Sequence, residues 1–213
     1  MRISLKKAIA SLRSMWATYQ LTGRFSPICV RIRKGAKLIC RKHPTAVVKC
    51  DGIVSIEPWL GNKQPVILRI GPQAQVTIGG DLVLGPNCRI GVSAHAKLHF
   101  GGREKESASG FTENLRLLCT QHIHIGKDFL GAWDIFITDS DHHLYNGVNE
   151  SRPVVIGDHV WMTAGVSVLK GAMIGDNVVV TQKAVVVKGE YPAGSLLGGI
   201  PAKVIGEAKE WHR

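Results

Sequence analysis

The stretch Val76-Thr-Ile-Gly-Gly-Asp-Leu-Val-Leu-Gly-Pro-Asn-Cys-Arg-Ile-Gly91 places an aliphatic residue followed by glycine at every sixth position. The pairs are Ile78-Gly79, Leu84-Gly85 and Ile90-Gly91. A six-residue repeat predicts a parallel β-helix, in which three short strands make one coil and the aliphatic side chains point inward. The strands of an ordinary sandwich place their turns about 8–12 residues apart, which does not fit a step of six.

The same pair recurs farther along the chain, at Ile125-Gly126, Ile156-Gly157 and Ile174-Gly175. The last two are eighteen residues apart, which is one coil of three six-residue strands. From Ile125 to Ile156 the step is 31 residues, so thirteen residues are added to one coil there. We therefore expect an all-β solenoid whose coils are interrupted by two polar excursions, near 101–114 and 138–153.

The composition indicates a single domain and excludes several classes of protein. The five cysteines are odd in number and show no paired spacing, which argues against a disulfide framework or a structural zinc site. No apolar run approaches the roughly 20 residues of a membrane-spanning helix, and no signal peptide is expected. We expect a cytoplasmic protein with reduced, mostly buried cysteines.

All of the excess positive charge lies in the first fifty residues, which contain twelve Lys or Arg and no Asp or Glu. Residues 3–20 predict an amphipathic helix, because a stripe of apolar residues recurs at steps of four and three. The stripe consists of Leu5, Ile9, Leu12, Trp16 and Tyr19. Two interpretations remain open. The helix lies on an anionic membrane face, or it packs its stripe on the first coil or on a neighbouring subunit.

The expected division of the chain has three parts. Residues 1–29 form the basic arm, residues 30–206 form the β-helix, and residues 207–213 form a short C-terminal tail. Nucleic-acid binding is not expected, because the basic face comes without any of the recognised reading motifs. At the membrane, the arm would hold the protein on the inner face of the cytoplasmic membrane.

The second excursion carries the candidate catalytic residues. It contains His142 and His143 beside Asp139 and Asp141. Histidine titrates near neutral pH and suits a general base, and a neighbouring carboxylate can fix its tautomer. Either aspartate could orient either histidine. Composition alone fits a solvated polar loop equally well.

Three motifs stand in the second half of the chain: Val154-Val-Ile-Gly-Asp-His-Val-Trp-Met162, Gly165-Val-Ser-Val-Leu-Lys-Gly-Ala-Met-Ile-Gly-Asp-Asn177 and Gly198-Gly-Ile-Pro-Ala-Lys-Val-Ile205. Together they resemble the hexapeptide-repeat acetyltransferases, above all the sugar O-acetyltransferases, over residues 66–206. The resemblance implies a left-handed β-helix, a homotrimer with active sites between subunits, and acetyl-CoA as the acyl donor. It also implies a loop histidine as the base, without a metal.

The resemblance also places the residues that would contact the acceptor. Counting from Ile125-Gly126 puts the base on His142, whereas the Asp-Ser-Asp-x-His pattern of some polysaccharide-modifying relatives puts it on His143. Asn114, in the preceding coil, is expected near the acceptor. Tyr145, in the same loop as the histidines, is a second acceptor-binding candidate.

Coenzyme A is expected along the groove between neighbouring β-helices. The resemblance places its pantetheine arm on Trp161, Thr163 and Ala164, and its phosphates near Lys188 and Lys203, where the contact is charge-assisted. Two departures add side chains to this groove. Val160-Trp-Met-Thr163 stands where Val-Trp-Ile-Gly is usual, and Thr181-Gln-Lys-Ala184 stands where Gly-Ala-Gly-Ser is common.

These features predict acetyl transfer from acetyl-CoA to a hydroxyl of a sugar, in a surface polysaccharide or a lipid-linked glycan precursor. An amino-sugar N-acetyltransferase is an alternative, because the same base serves either nucleophile. A γ-type zinc carbonic anhydrase would need three histidine ligands, and His122 and His124 together with the loop histidines do not match its spacing. A non-catalytic β-helix scaffold is the last alternative.

Overall fold

The structure is a computed structural model that describes residues 5–24, 29–103, 109–144 and 146–212, with helix side chains from residue 10 onward. The described residues form one α-helix and 23 β-strands. The helix, α1, spans Leu5–Thr22. The first strands are β1 (Val30–Ile32), β2 (Leu38–Lys42), β3 (Val47–Cys50), β4 (Val54–Ile56), β5 (Val66–Ile70), β6 (Gln75–Ile78), β7 (Leu82–Leu84) and β8 (Arg89–Val92). The middle strands are β9 (Lys97–Gly102), β10 (Gly110–Glu113), β11 (Arg116–Cys119), β12 (His122–Lys127), β13 (Leu130–Trp133), β14 (Phe136–Thr138), β15 (Val154–Ile156) and β16 (Trp161–Met162). The last strands are β17 (Ser167–Val168), β18 (Ala172–Ile174), β19 (Val179–Val180), β20 (Val185–Val186), β21 (Gly189–Tyr191), β22 (Ser195–Gly199) and β23 (Ala202–Glu207).

Consecutive strands visit three sheets in turn, so the chain coils around one core. Sheet A has the order β1-β4-β7-β10-β13-β16-β19-β22-β23, sheet B has β2-β5-β8-β11-β14-β17-β20, and sheet C has β3-β6-β9-β12-β15-β18-β21. All of the pairs are parallel except β22 with β23, which ends sheet A. In the regular coils the paired residues are eighteen apart, as Trp161 and Val179 are. A mostly β chain of parallel sheets with one helix is confirmed.

The aliphatic residue of each six-residue step lies in the core, as predicted: Ile78, Ile90, Ile125, Ile156 and Ile174 are all buried. The glycine that follows has a steric reason at two corners. A Cβ on Gly126 would lie 2.6 Å from the carbonyl carbon of Gly157, and one on Gly157 would lie 2.7 Å from that of Gly175. The coils therefore stack closely only where these corners carry no side chain.

All five cysteines are free thiols. Three of them, Cys29, Cys88 and Cys119, are buried, and Cys40 and Cys50 are half-buried. Burial raises the pKa of Cys88 to about 12 and that of Cys40 to about 11. Cys88 and Cys40 therefore stay protonated at neutral pH and act as small apolar groups.

The helix α1 closes the open end of the first coil with a face that carries Ser14, Ala17, Thr18 and Leu21. Ala17, Thr18 and Leu21 are buried there. The Val30 N–H donates to Thr18 Oγ1 at 3.0 Å, and the Ile32 N–H donates to Ser14 Oγ at 3.1 Å. These hydroxyls replace the strand that would otherwise accept the two bonds, since a sheet edge leaves its N–H groups unpaired.

The described part of the expected apolar stripe does not pack on the first coil, so that version of the packing interpretation is wrong. A contact of the stripe with a neighbouring subunit stays a prediction, as does a contact with a membrane. Leu12 is 64% exposed and Trp16 is 56% exposed, and Met15 and Tyr19 also reach the surface. The side chains of Leu5 and Ile9 lie outside the described residues. Within the described ranges, no helix has both the length and the apolar character needed to cross a membrane.

Thr18→Val is expected to lower the free energy of unfolding by about 2 kcal/mol, because the buried Val30 N–H then has no acceptor. Urea unfolding followed by circular dichroism measures the change. Thr22→Val is the matched control, since the Thr22 hydroxyl contacts only exposed or helical backbone atoms, and we expect less than about 0.5 kcal/mol there. Equal losses for the two variants would contradict the role of Thr18 as a cap.

Three segments leave the coils at different corners. Residues 58–65 loop out between sheets A and B, where Trp59 and Asn62 form a bridge. Between sheets C and A, β9 runs to Gly102 and β10 spans Gly110–Glu113, so strands occupy both ends of the range 101–114 in which an excursion is expected, and residues 104–108 lie outside the described residues. The third segment, between β14 and β15, leaves at the corner of sheets B and C and contains both candidate histidines.

Candidate active site

The loop between β14 and β15, residues 139–153, is pinned in one geometry by contacts between its two arms. The Arg152 N–H donates to the Asp139 carbonyl at 2.8 Å, and the Asp141 N–H donates to the Glu150 carbonyl at 3.1 Å. Lys170, from the next coil, places its Nζ 2.5 Å from Asp141 Oδ2 and 2.6 Å from Glu150 Oε2. The hydrogen bonds that Lys170 donates, first to Asp141 and then to Glu150, raise the pKa of Lys170. The loop is therefore tied both to itself and to the scaffold.

His142 is the loop histidine whose ring contacts the scaffold. Its backbone is left-handed, with φ of 62°, and its N–H donates to Ser140 Oγ at 3.1 Å. Its ring Nε2 lies 2.7 Å from Oγ1 of the buried Thr138 at the end of β14. His143 is exposed, and the described residues give its side chain no polar contact. Sequence reasoning missed Thr138, since nothing in its local pattern marks it as a partner of the ring.

Asp139 and Asp141 use their carboxylates elsewhere. Asp139 is fully buried and accepts the N–H groups of three consecutive residues, Thr120, Gln121 and His122, each at 2.7 Å. Asp141 pairs with Lys170. Within the described chain neither carboxylate contacts a loop histidine, and Thr138 holds His142 in their place. The three amide groups of the preceding corner explain why the Asp139 side chain turns inward.

A groove with a volume of about 370 Å³ runs from His142 along the outer face of sheet B. Arg41, Arg69, Gly91 and Leu118 line it on one strand after another. The candidate base therefore stands at one end of an elongated surface rather than above a closed pocket. Such a surface can accept a chain molecule.

Asn114 lies where the strands of sheet B begin, whereas the loop leaves where they end. It sits at the corner between β10 and β11, with a left-handed backbone. Its Oδ1 accepts a hydrogen bond from Asn87 at 2.8 Å, and its Nδ2 donates to Asp134 Oδ1 at 3.0 Å. Within one subunit, Asn114 and His142 therefore lie at opposite ends of the strands of sheet B. The other acceptor candidate, Tyr145, lies outside the described residues.

The residues expected to contact coenzyme A also divide between corners. Trp161 lies on sheet A, and Thr163 and Ala164 follow it at the corner of sheets A and B, where Thr163 Oγ1 donates to the Val180 carbonyl at 2.8 Å. Lys183, one coil later, donates its N–H to the Ala164 carbonyl. Lys188 follows β20 at the corner of sheets B and C, and Lys203 lies on β23. Within one subunit, the residues expected to contact coenzyme A therefore do not form a single site.

The indole of Trp161 lacks a hydrogen-bond partner for its N–H among the described residues, although that atom is buried. The C-terminal tail lies against it, because the Trp211 ring centroid is 5.8 Å from that of Trp161 and 4.1 Å from that of His159. The tail thus covers Trp161 and His159, at the place where the acetyl donor is expected to bind. A buried N–H without a partner is costly, so it marks a place where a further acceptor would be favourable.

The histidines of sheet C form a separate surface. His99 and His124 stack with ring centroids 4.5 Å apart, and burial lowers the pKa of both. Among the described residues, no group of three or more His, Cys, Asp or Glu side chains is arranged to hold a metal ion.

The fold and the site define a parallel β-coil that presents a pinned histidine at the corner of two sheets, beside a long groove. No family model matches the chain. It is 35% identical over 173 residues to the polysialic acid O-acetyltransferase of Neisseria meningitidis, covering 65% of this chain and 80% of that relative. Over 111 residues it is 35% identical to WbbJ of Escherichia coli K12, provisionally named a lipopolysaccharide biosynthesis O-acetyl transferase, covering 44% of this chain and 56% of that relative.

Solved structures with a related fold include the polysialic acid O-acetyltransferase OatWY, at 25% identity and a TM-score of 0.44, covering 86% of this chain and 90% of that one. Since that TM-score is below 0.5, the assignment rests on sequence likeness. The chain belongs to the hexapeptide-repeat acetyltransferases, in their polysaccharide O-acetyltransferase branch. It is therefore an acyltransferase.

Proposed function

We propose that the chain transfers an acetyl group from acetyl-CoA to a sugar hydroxyl in a surface polysaccharide or its lipid-linked precursor, with His142 as the general base. The observation that carries the proposal is the contact of the His142 ring with Thr138, in a loop tied down by Lys170. A base works only when its ring is held in one orientation. The name of the Neisseria meningitidis relative supports a polysaccharide acceptor.

The reaction needs one proton to move twice. A neutral sugar hydroxyl is a weak nucleophile, so His142 removes its proton as the oxygen attacks the thioester carbonyl carbon. The tetrahedral intermediate then collapses, the carbon–sulfur bond breaks, and the imidazolium returns the proton to the coenzyme A thiolate. With its Nε2–H donated to Thr138 Oγ1, the neutral ring would carry its free lone pair on Nδ1, and that atom would take the proton of the acceptor hydroxyl. His143, the alternative base, has no such support from the scaffold.

The chain is proposed to work as a homotrimer of left-handed β-helices. The proposal is supported by the separation of the site residues within one subunit. Asn114 and Ala164 lie where the strands of sheet B begin, and His142 lies where they end. In a trimer, the Asn114 end of sheet B in one subunit would lie next to the His142 end of sheet B in its neighbour. The buried Trp161 N–H, which has no hydrogen-bond partner in the part of the chain that the structure describes, fits an acceptor supplied by acetyl-CoA at such a junction. Thr163 would lie along its pantetheine arm, and Lys188 and Lys203 would meet its phosphates.

For the cell, we propose a cytoplasmic protein whose basic arm, residues 1–29, rests on the inner face of the cytoplasmic membrane. The support is the exposed stripe of Leu12, Trp16 and Tyr19 on a segment rich in Lys and Arg. Residues 30–206 would then form the catalytic β-helix and 207–213 its tail. The helix also caps the first coil, so removing residues 1–20 would disturb that coil as well as any membrane contact.

The test is thiol release from acetyl-CoA in the presence of polysialic acid, followed by mass spectrometry of the polymer. We expect thiol release that depends on the polymer and a product heavier by one acetyl group. Mild alkali should remove that group, because an ester is labile where an amide is stable. Thiol release without acetylation of any glycan offered would refute the proposal. An alkali-stable product would assign an amino-sugar N-acetyltransferase instead.

A further inference from the structure

One column of residues crosses the outer face of sheet B and ends at the candidate base. The strand pairing aligns Arg41 with Arg69, Arg69 with Gly91, Gly91 with Leu118, and Leu118 with Thr138. Thr138 holds the His142 ring. Both arginines are exposed, Gly91 and Leu118 are half-buried, and Thr138 is buried at the end of the column, where its Oγ1 contacts the His142 ring. The two positively charged side chains and the candidate base therefore lie in one row on the same face of sheet B.

The arginine pair is unfavourable unless an anion binds it. Like charges directly opposite on neighbouring strands repel each other. Among the described residues, neither guanidinium forms an ion pair with a carboxylate. The nearest loop acids are already engaged, because Asp139 is buried under three N–H groups and Asp141 is bound to Lys170. The two guanidinium groups are thus free to form bidentate contacts with a carboxylate or phosphate.

Gly91 gives this column its depth. It has no side chain between Arg69 and Leu118, and the groove that results has a volume of about 370 Å³ and reaches His142. A Cβ there would meet Leu118 Cδ2 at 3.4 Å and the Leu117 carbonyl oxygen at 4.0 Å, which are ordinary van der Waals contacts, so the backbone does not require glycine at this position. The missing side chain serves the shape of the groove and not the stacking of the coils.

The length of the column indicates what it binds. Neighbouring strands lie about 4.8 Å apart, so Arg69 and Thr138, three strands from each other, are separated by about 14 Å. That span exceeds a single sugar ring. The arginines would therefore contact a sugar farther along a polymer and not the sugar that is acetylated.

We propose that Arg41 and Arg69 bind the acidic groups of an anionic polysaccharide that lies along sheet B with its acceptor sugar at His142. The inference rests on the proposed function for the role of His142, and it makes the acceptor an acidic polymer. Neutral glycans lack the group that the arginine pair recognises. A free monosaccharide reaches the base without reaching the arginines.

The test is equilibrium binding without acetyl-CoA, by titration calorimetry, so that it does not depend on catalysis. The probes are polysialic acid, the same polymer with its carboxylates reduced to hydroxymethyl groups, and poly(glycerol phosphate). We expect wild type to bind at least one acidic polymer at least about tenfold more tightly than the neutral one, with affinity falling as salt rises. The stronger acidic probe then identifies carboxylate or phosphate as the ligand.

Arg69→Gln and Arg41→Gln should each weaken binding of that acidic polymer about tenfold and leave binding of the neutral polymer unchanged. Arg31→Gln is the matched control, because Arg31 is an exposed strand arginine on sheet A. This variant should bind the acidic polymer with the affinity of wild type.

In the acetylation assay the Arg69 and Arg41 variants should raise KM for the polymer and keep kcat. Equal binding of acidic and neutral polymers, no binding of either acidic polymer, or an effect of Arg31→Gln as large as that of Arg69→Gln would overturn the inference. Polymer binding without acetyl transfer would refute the proposed function alone.

Discussion

His142→Gln is expected to lower kcat for acetyl transfer about 1,000-fold, since general-base catalysis contributes roughly 100- to 10,000-fold. Glutamine keeps a polar group beside Thr138, so the loop should retain its shape while the base is lost. Steady-state kinetics with acetyl-CoA and the polymer measures the loss. KM for the polymer should change little, because the contacts that bind the chain lie elsewhere on sheet B.

His143→Gln is the control for this variant, and it should keep kcat within about threefold of wild type because that exposed side chain has no support from the scaffold. The opposite ranking of the two variants would move the base to His143. Thr138→Val separates orientation from chemistry, since it removes only the partner of the ring at 2.7 Å. If Thr138 positions His142, that variant changes the pH profile of kcat, which a purely structural role would leave in place.

Asp139→Ala is expected to lower the free energy of unfolding by about 4 kcal/mol, because three N–H groups lose their acceptor together. That is a large share of the roughly 5–15 kcal/mol that stabilises a typical domain. Asp139→Asn should also destabilise, since its amide places an NH₂ group where the carboxylate accepted N–H groups. Chemical denaturation followed by fluorescence measures both losses.

Asp134→Asn is the control for this change. Asp134 is exposed at a corner, and an asparagine there can still accept the bond from Asn114, so we expect a change below about 0.5 kcal/mol. The fraction of the Asp139→Asn protein that remains folded should keep kcat close to that of wild type. A variant with normal stability and lost kcat would restore Asp139 as the residue that orients the base.

The repeat predicted the coil because each six-residue step obeys the same local rule. An aliphatic residue such as Ile125 must point inward on a short strand, and Gly126 must pass under the next corner without a side chain. The loop was found in the same way, as the place where Ile125 and Ile156 are 31 residues apart. Both conclusions depend only on spacing along the chain.

The partners of single side chains were not predictable in that way. Asp139 and Asp141 look equivalent in the sequence, but only Asp139 lies over the amide groups of residues 120–122. In α1, the spacing of Leu12 and Trp16 identified the apolar face but left its contact open, and the structure excludes only packing of that face on the first coil. The open edge of β1 needs hydrogen-bond acceptors, so Thr18 and Ser14 turn inward and the stripe turns outward.

The sequence by itself determined the coil, the position of the excursion and the acyltransferase family. Those features repeat or are carried by contiguous motifs. Only the tertiary structure decided that Thr138 holds His142, that Asp139 serves the scaffold, and that Arg41 and Arg69 align with the base. The physical reason is that stacked coils bring together residues about 18 to 31 positions apart, and the register between coils, which inserted loops change, decides which side chains meet.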